Sequence, residues 1–442
     1  MAYENEYDED EENLRRLFAA QKLVSFRIHQ IQCSAGSKTG DNYMSVVKRV
    51  QISDGPITNT QNDGFLSVII KRQIPSLSRR QLFHCDEAFS NEISVYTHIV
   101  PLLDEYSTES LFPKCFYAGK DEKGDDIIML EDLKHLGYHM HDRLTGLDVN
   151  YCELVMKELA KLHAASIIAQ QLDNKRFHEE SQHLIEIIYC KGTEEFYRNV
   201  LEISIQESLS SLRTSNVDGC LTEPIKCIEK LQSKLFWKIK DCIVNSKGNL
   251  SVMCHGDLWV NNIMFKNATI ATDSASSICS DSSVPCAVKF IDLQAMRYTS
   301  PVFDLLHFFY TSTKRGLRDA HVESLLRIYS IALLSNLELM FTKTSATCTQ
   351  HLDFLKNTFS LRNITAEYYE HVLYGLGVGM WILPAVTFDP HNIPNLDQMS
   401  GTIHHAKEIK CTQKLTQEYH NGMRELALEF YQNGFLKSDL IE

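Results

Sequence analysis

The sequence predicts an α+β protein of two lobes: a small, mainly antiparallel β lobe with one helix, then a larger helical lobe that carries a β-hairpin of its own. Three observations predict it. Between Leu23 and Leu130, the runs Leu23 to Gln32 and Met44 to Ile52 alternate with the period of a half-buried strand, and Gly64 to Arg72 and Ile127 to Leu130 are short apolar runs of the buried-strand type, with one helical interruption. From Val149 onward the period becomes helical. Inside that helical part, two short apolar runs, Ile263 to Lys266 and Val288 to Ile291, flank a polar stretch and read as a hairpin.

Composition bounds the rest. The chain has 442 residues, 44% apolar and 23% charged, enough to build two lobes around a sizeable core and ordinary for a globular protein. Its net charge is −13, and residues 1–12 hold seven acidic side chains and no basic one, which leaves −6 for the remainder. Residues 1–20 are therefore expected to be an acidic, disordered tail. No basic stripe is visible, so nucleic acid is not an expected partner. No apolar run opens the chain, so no signal peptide is expected. The longest apolar stretch, Gly375 to Phe388, is too short to span a bilayer and contains Pro384. Thirteen cysteines without a CxxC pair read as reduced thiols, and the expected location is cytoplasmic.

The β lobe is placed at 21–132. Leu23 to Gln32 alternates as a first strand and Met44 to Ile52 as a second, joined by a small-residue loop holding Gly36, Gly40 and Asn42. Strand, glycine-bearing loop, strand is the layout of a loop that lies over nucleotide phosphates through its backbone N–H groups, although such a loop is also an ordinary hairpin turn. Gly64 to Arg72 is a buried-type third strand ending at Lys71. Ser78 to Ile99 follows with helical spacing and carries Glu92. A strand lysine paired to a helix glutamate aims an ammonium at the α- and β-phosphates of a nucleotide. Lys48 on the preceding strand is a rival, and Lys71 is preferred because its strand directly precedes the helix. Pro113 to Gly119 and Ile127 to Leu130 form a hairpin over a polar turn and run into Glu131, a lobe connection whose backbone could meet an adenine edge.

The helical lobe is placed at 133–442. His135, His139 and His141 cluster at its start and read as loop histidines, because they lack partners at zinc spacing. Val149 to Gln170 is a long helix, residues 176–245 continue helical, and 321–342, 350–359, 364–383 and 402–432 are further helices. Phe309, Tyr310 and Trp381 either face an acceptor pocket or fill the core.

The chemistry is concentrated in CHGDLWVNNIMFK, residues 254–266, and VKFIDLQ, residues 288–294. An Asp with an Asn five residues on, and a second Asp after the pairing strand, is the set that phosphoryl transfer from ATP needs. Asp257 can accept the proton of an attacking hydroxyl, while Asn262 and Asp292 offer the hard oxygens that Mg²⁺ prefers. Asp304, polar at the head of an apolar helix beginning at Pro301, is either an N-terminal cap or a brace for the catalytic loop.

Together these pieces resemble the protein-kinase-like fold in its aminoglycoside phosphotransferase and choline kinase branch, and within it the ecdysteroid-kinase-like (CHK-kinase-like) family. The matching blocks are GDNY (40–43), the Lys71 strand, F-x-x-E-x-x-x-Y (89–96), LEDL-x-x-x-GY (130–138), LA-x-LHA (159–164), HGDLWVNNIMF (255–265), IDLQ (291–294) and P-x-x-DLLHF (301–308). Leu293 stands where relatives often carry Phe. The resemblance implies an ATP- and Mg²⁺-dependent small-molecule kinase with Asp257 as base. It also implies Asn262 and Asp292 as metal ligands, Lys71 on the phosphates oriented by Glu92, His255 bracing the catalytic loop and Asp304 supporting it. The implied acceptor is a hydroxyl of an ecdysteroid or a related lipophilic compound. An amino-alcohol or aminoglycoside acceptor, or a nucleotide-binding pseudokinase without turnover, is the alternative.

Overall fold

A computed structural model describes residues 11–25, 27–36, 44–55, 65–107, 109–245, 250–268, 284–344, 349–387 and 415–436. Gly40 and Asn42 lie outside the described residues.

Five antiparallel strands build the first lobe: β1 (Gln30–Ala35), β2 (Ser45–Ser53), β3 (Phe65–Gln73), β4 (Cys115–Lys120) and β5 (Asp126–Glu131), in the order β1-β2-β3-β5-β4. Side chains alternate across such a sheet. Val50, Ile52, Val68, Ile70, Ile127 and Met129 therefore share one fully covered face. Val47, Ile69 and Lys71 occupy the other face and look into the space between the lobes. Lys48 pairs with Ile70 and so shares the covered face, whereas Lys71 pairs with Val47.

Three expectations for this lobe need correction. Residues 1–20 are not all tail, because Glu11–Ala20 forms a helix, α1, whose Leu14, Leu17 and Phe18 close the covered face of the sheet. The lobe thus begins at Glu11 rather than at residue 21. Glu11 and Glu12 suit the N-terminal end of that helix dipole and pair four residues on with Arg15 and Arg16. The first strand starts at Gln30, not Leu23, since the Arg15 guanidinium takes the carbonyls of Ile28 and His29. The single helix expected over 78–99 is α2 (Leu77–Phe83), α3 (Cys85–Ser94) and a π-helical turn (Val95–Ile99) that leads into α4 (Val100–Tyr106). His84, at φ 52° and ψ 40°, sits in the left-handed region and breaks the run.

The second lobe is built on α5 (Val149–Leu172), whose Val155, Met156, Leu159, Leu162 and His163 are buried. It packs against the long helix Arg315–Thr344 and against two small sheets. In one, β7 (Val252–Cys254) pairs with β10 (Arg297–Thr299). In the other, β6 (His139–Met140), β8 (Ile263–Asn267) and β9 (Pro285–Phe290) lie side by side, with Ile263 opposite Phe290. The expected hairpin is β8 and β9, and the stretch between them lies largely outside the described residues. Helix Val302–Ser312 is buried along its whole length and crosses helix Val372–Thr387. A Cβ on Gly375 would come within 2.2 Å of the Tyr310 ring, so the glycines of GLGVG allow this close approach. Phe309 and Tyr310 are core side chains. The helices expected at 364–383 are two, broken at His371.

Helix Arg315–Thr344 has the length and hydropathy to cross a bilayer. Its Leu325, Leu326, Tyr329, Leu333 and Leu337 are fully covered, so in this fold it is a core helix.

Candidate active site

The loop after β7 is held from below by one carboxylate. Asp304 accepts the backbone N–H of His255 on Oδ2 at 2.7 Å and that of Gly256 on Oδ1 at 2.9 Å. Asp304 is therefore the brace rather than a helix cap. His163 Nε2 lies 3.3 Å from the same Oδ2, with its Nδ1 2.8 Å from the Tyr329 hydroxyl. Burial pushes the Asp304 pKa up, but His163, His255 and the Gly256 N–H outweigh it and hold the carboxyl below its usual range. Gly256 has φ +84°, and a Cβ there would meet the Ala295 carbonyl oxygen at 2.0 Å, so the turn admits glycine alone.

His255 ties this loop to the next one. Its Nδ1 accepts the Asp257 N–H at 3.3 Å, and its Nε2 lies 3.0 Å from the Ile291 carbonyl oxygen, to which it donates. Both ring nitrogens are thus engaged by backbone, one as acceptor and one as donor. That leaves His255 positioning Asp257 and Asp292 and not facing the cleft.

Asp257 and Asn262 form one unit. The Asn262 amide donates to the Asp257 carbonyl oxygen and to its Oδ2, both at 2.9 Å. The Asn262 amide nitrogen is committed there, which leaves its oxygen as the atom to offer a cation. Burial pushes Asp257 up, but His307, His255 and Asn262 outweigh it and keep it below the ordinary carboxylate range. Asp292 follows β9 in the left-handed region at φ 64° and ψ 70°, strained for a residue with a Cβ, which turns its carboxylate toward the first lobe. There Lys71 Nζ sits 2.5 Å from Glu92 Oε2 and 2.7 Å from Asp292 Oδ1. Burial disfavours the Lys71 ammonium, but the two carboxylates outweigh it and raise its pKa. Burial also pushes the Glu92 pKa up, against the attraction of Lys71.

These groups stand at the end of an interlobe cleft of about 770 Å³. Val47, Ile69 and Leu130 roof it, Met264 and Ile291 floor it, and Lys71, Glu92, Asn262 and Asp292 close it. Gly36 and Glu131 also line it. The Glu131 N–H is already donated to the Lys114 carbonyl at 2.9 Å, so it does not serve as a donor to a base edge. His255 and Asp304 lie beneath the site, and Asp257 is joined to the cleft through Asn262.

The donor set suits a hard divalent cation: an Asp carboxylate and an Asn amide oxygen from two converging turns. A second cluster, His98, Glu180 and His183, has ligand atoms within 4.8 Å of one another. Its two imidazoles stack at 3.7 Å and 8°, so their lone pairs run parallel instead of converging on one ion. It reads as a packing joint between the π turn and helix Asn174–Ser181.

Two residues gained no role from the sequence. Asn91, fully buried beside Glu92, donates to the Gln294 carbonyl at 2.9 Å and the Met296 carbonyl at 3.2 Å, and accepts the Ile185 N–H at 2.7 Å. It pins the segment after Asp292 to the helix of Glu92. His307 places Nε2 3.3 Å from Asp257 Oδ1. Its three-residue spacing from Asp304 on one helix was the available signal.

A two-lobed fold of this kind, with a nucleotide-sized cleft between an antiparallel sheet and a helical lobe, is that of the small-molecule kinases, phosphotransferases that act on alcohol groups. The chain belongs to the ecdysteroid kinase-like family, whose model it matches over residues 39–341. No curated protein sequence matches it. Among solved structures it is similar to the GDP complex of wild-type aminoglycoside 2'-phosphotransferase-IIIa, at 11% identity and a TM-score of 0.34, over 84% of this chain and 97% of that one. It is similar to a choline/ethanolamine kinase family protein from Mesorhizobium loti, at 11% identity and a TM-score of 0.33, over 84% and 99%. It is also similar to a microcompartment-associated aminopropanol kinase, at 11% identity and a TM-score of 0.35, over 95% and 99%. The class rests on the family match and on the chain's own lobes, not on these distant likenesses.

Proposed function

We propose that this kinase transfers the γ-phosphoryl group of Mg²⁺–ATP to a hydroxyl of an ecdysteroid or a related lipophilic, hydroxylated small molecule. The observation that carries the phosphotransfer reading is the convergence of Lys71, Glu92, Asn262 and Asp292 at one end of the cleft, with Asp257 hydrogen-bonded to Asn262. The adenine lies between Val47, Ile69 and Leu130 on one side and Met264 and Ile291 on the other, apolar surfaces matched to its two faces. Lys71 reaches the α- and β-phosphates, and Glu92 fixes its direction. Asp257 accepts the proton of the attacking hydroxyl and aims the oxygen. Asp292 and Asn262 would hold the Mg²⁺. When bound, that ion would neutralise the phosphate charge that the Lys71 ammonium leaves uncompensated. Catalysis of this kind is positioning and charge compensation, so a rigid loop matters as much as its carboxylate. Asp304 and His255 supply the rigidity.

The acceptor class is supported by the family to which the chain belongs. A cytosolic location is supported by the cysteine pattern of the sequence, thirteen cysteines with no CxxC pair. The test is γ-labelled ATP and Mg²⁺ with the purified chain and a panel of 20-hydroxyecdysone, other ecdysteroids, phenolic glucosides and choline. We expect labelled ecdysteroid, and with Asp257→Asn a turnover loss of ~10²–10⁴-fold, the usual worth of a general base, with ATP affinity kept. Labelled choline with no ecdysteroid product would reject the acceptor. ATP bound without label in any acceptor would favour the pseudokinase reading, and Asp257→Asn at wild-type turnover would reject the base.

A further inference from the structure

His307 stands against the Asp257 carboxylate and has no part in the roles assigned above. It lies on helix Val302–Ser312, three residues after Asp304, so both face the catalytic loop. Asp304 takes that loop's backbone N–H groups, and His307 meets its side chain. His307 is 5% exposed. Its Nδ1 is 3.1 Å from the Tyr374 hydroxyl, and its Nε2 is 3.3 Å from Asp257 Oδ1. Among the described residues that Nε2 has no aligned hydrogen-bond partner. The other Asp257 oxygen, Oδ2, is taken by Asn262 at 2.9 Å.

A buried polar nitrogen without a bond costs ~1–3 kcal/mol, so packing alone does not account for it. A lone pair on Nε2 facing a carboxylate oxygen would repel it, whereas a proton there attracts it. A proton on Nε2 requires Nδ1 of the neutral ring to accept. Tyr374 can donate to it, since burial raises the phenol well above its ordinary pKa and keeps its proton in place. Catalytic hydrogen bonds are often long and poorly aligned until the substrate is bound.

We propose that His307 is a positioning residue for the base. Its Nε2–H, fixed by the Tyr374 hydroxyl on Nδ1, closes onto Asp257 Oδ1 as the acceptor binds. With Asn262 on Oδ2, it holds the carboxylate plane so that one lone pair of Oδ1 meets the acceptor hydroxyl. The inference rests on the phosphotransferase reading with Asp257 as base.

Four variants test it: His307→Phe, which fills the space without a donor, His307→Gln, which restores an N–H donor at similar reach, Tyr374→Phe, and Asp257→Asn as control. His307→Phe should lose ~100-fold in acceptor kcat, the scale of a misplaced reacting group, with Mg²⁺–ATP affinity held within about twofold. His307→Gln should recover most of that loss, and Tyr374→Phe should fall between them. In ¹⁵N-histidine spectra of the wild-type chain, the His307 Nε2 should carry the proton, a reading that needs neither turnover nor a variant that folds. Full turnover in His307→Phe, equal losses in the Phe and Gln variants, or a bare Nε2 would each overturn the inference. If Asp257→Asn is dead while His307→Phe is active, the inference alone fails. If Asp257→Asn is active, the base reading fails and takes the inference with it.

Discussion

Asp304 is the residue on which the site's geometry most depends. Its two oxygens satisfy two adjacent backbone donors that the sharp turn at Gly256 leaves without other partners. An Asn at 304 can accept one of those N–H groups but turns an NH₂ toward the other. Asp304→Asn should therefore cost about 2–4 kcal/mol, the loss of a charge-assisted bond plus one unsatisfied buried donor. The cost should depend on pH. The folded-state pKa of Asp304 lies below its unfolded value, so its contribution is complete at neutral pH. It is lost as pH falls below about 4 toward the folded pKa. Urea unfolding of wild type and Asp304→Asn should show a gap at pH 7 that narrows below pH 4, and a gap independent of pH would reject this account. At this scale the sequence was legible wherever partners are close in the chain. Asp257 and Asn262 are five residues apart on one loop, so their contact follows from spacing. His307 and Tyr374 meet only because two helices cross at the glycines of Val372–Thr387, and no local pattern encodes that crossing. Asn91 was hidden for the same reason, since its partners lie between 94 and 205 residues away.

Elements tell a similar story with one instructive exception. Strand β2 and helix Val149–Leu172 were legible from their periods, and β3 and β5 from short apolar runs bounded by polar turns. The segment Glu11–Ala20 was masked by composition: five acidic residues directly before Asn13 dominate any window that includes them. Yet ENLRRLFAA places Leu14, Leu17 and Phe18 at helical spacing, and these close the first lobe's sheet. Without them Val50, Ile52, Val68 and Ile70 would face water. Phe18 is fully buried, so Phe18→Ala should destabilise the lobe by about 3–5 kcal/mol, the range for an aromatic removed from a core. Urea unfolding followed by far-UV circular dichroism measures it. A change within about 0.5 kcal/mol, the scale of surface substitutions, would mean that this helix does not close the sheet in solution. The break between α2 and α3 was unreadable for a different reason. His84 carries no glycine or proline signal, yet it closes α2 in the left-handed region with its N–H on the Arg80 carbonyl.

At the scale of the molecule, Lys71 is a buried ammonium that touches a carboxylate from each lobe at the end of the cleft. It belongs to β3, its partner Glu92 to α3, and its other partner Asp292 to the turn after β9 in the helical lobe. A nucleotide in the cleft contacts the same sheet and the same turn, so its binding energy is shared between lobes that unfold as neighbours. A ligand bound to the folded state alone stabilises it by about 2.7 kcal/mol at a hundred times its dissociation constant. ATP by itself should contribute part of this through the apolar walls and Lys71. Mg²⁺ should add the rest through Asp292 and Asn262, so denaturation midpoints should rise in the order free chain, ATP, Mg²⁺–ATP. Asp292→Asn removes a charge from the cation's donor set and keeps an amide oxygen, while Lys71 retains Glu92. That variant should keep the ATP increment and lose most of the Mg²⁺ increment, whereas Lys71→Ala should lose the ATP increment first. If Mg²⁺ added equally to wild type and to Asp292→Asn, the cation would have to sit elsewhere, and the turn after β9 would need another reason for its strained aspartate.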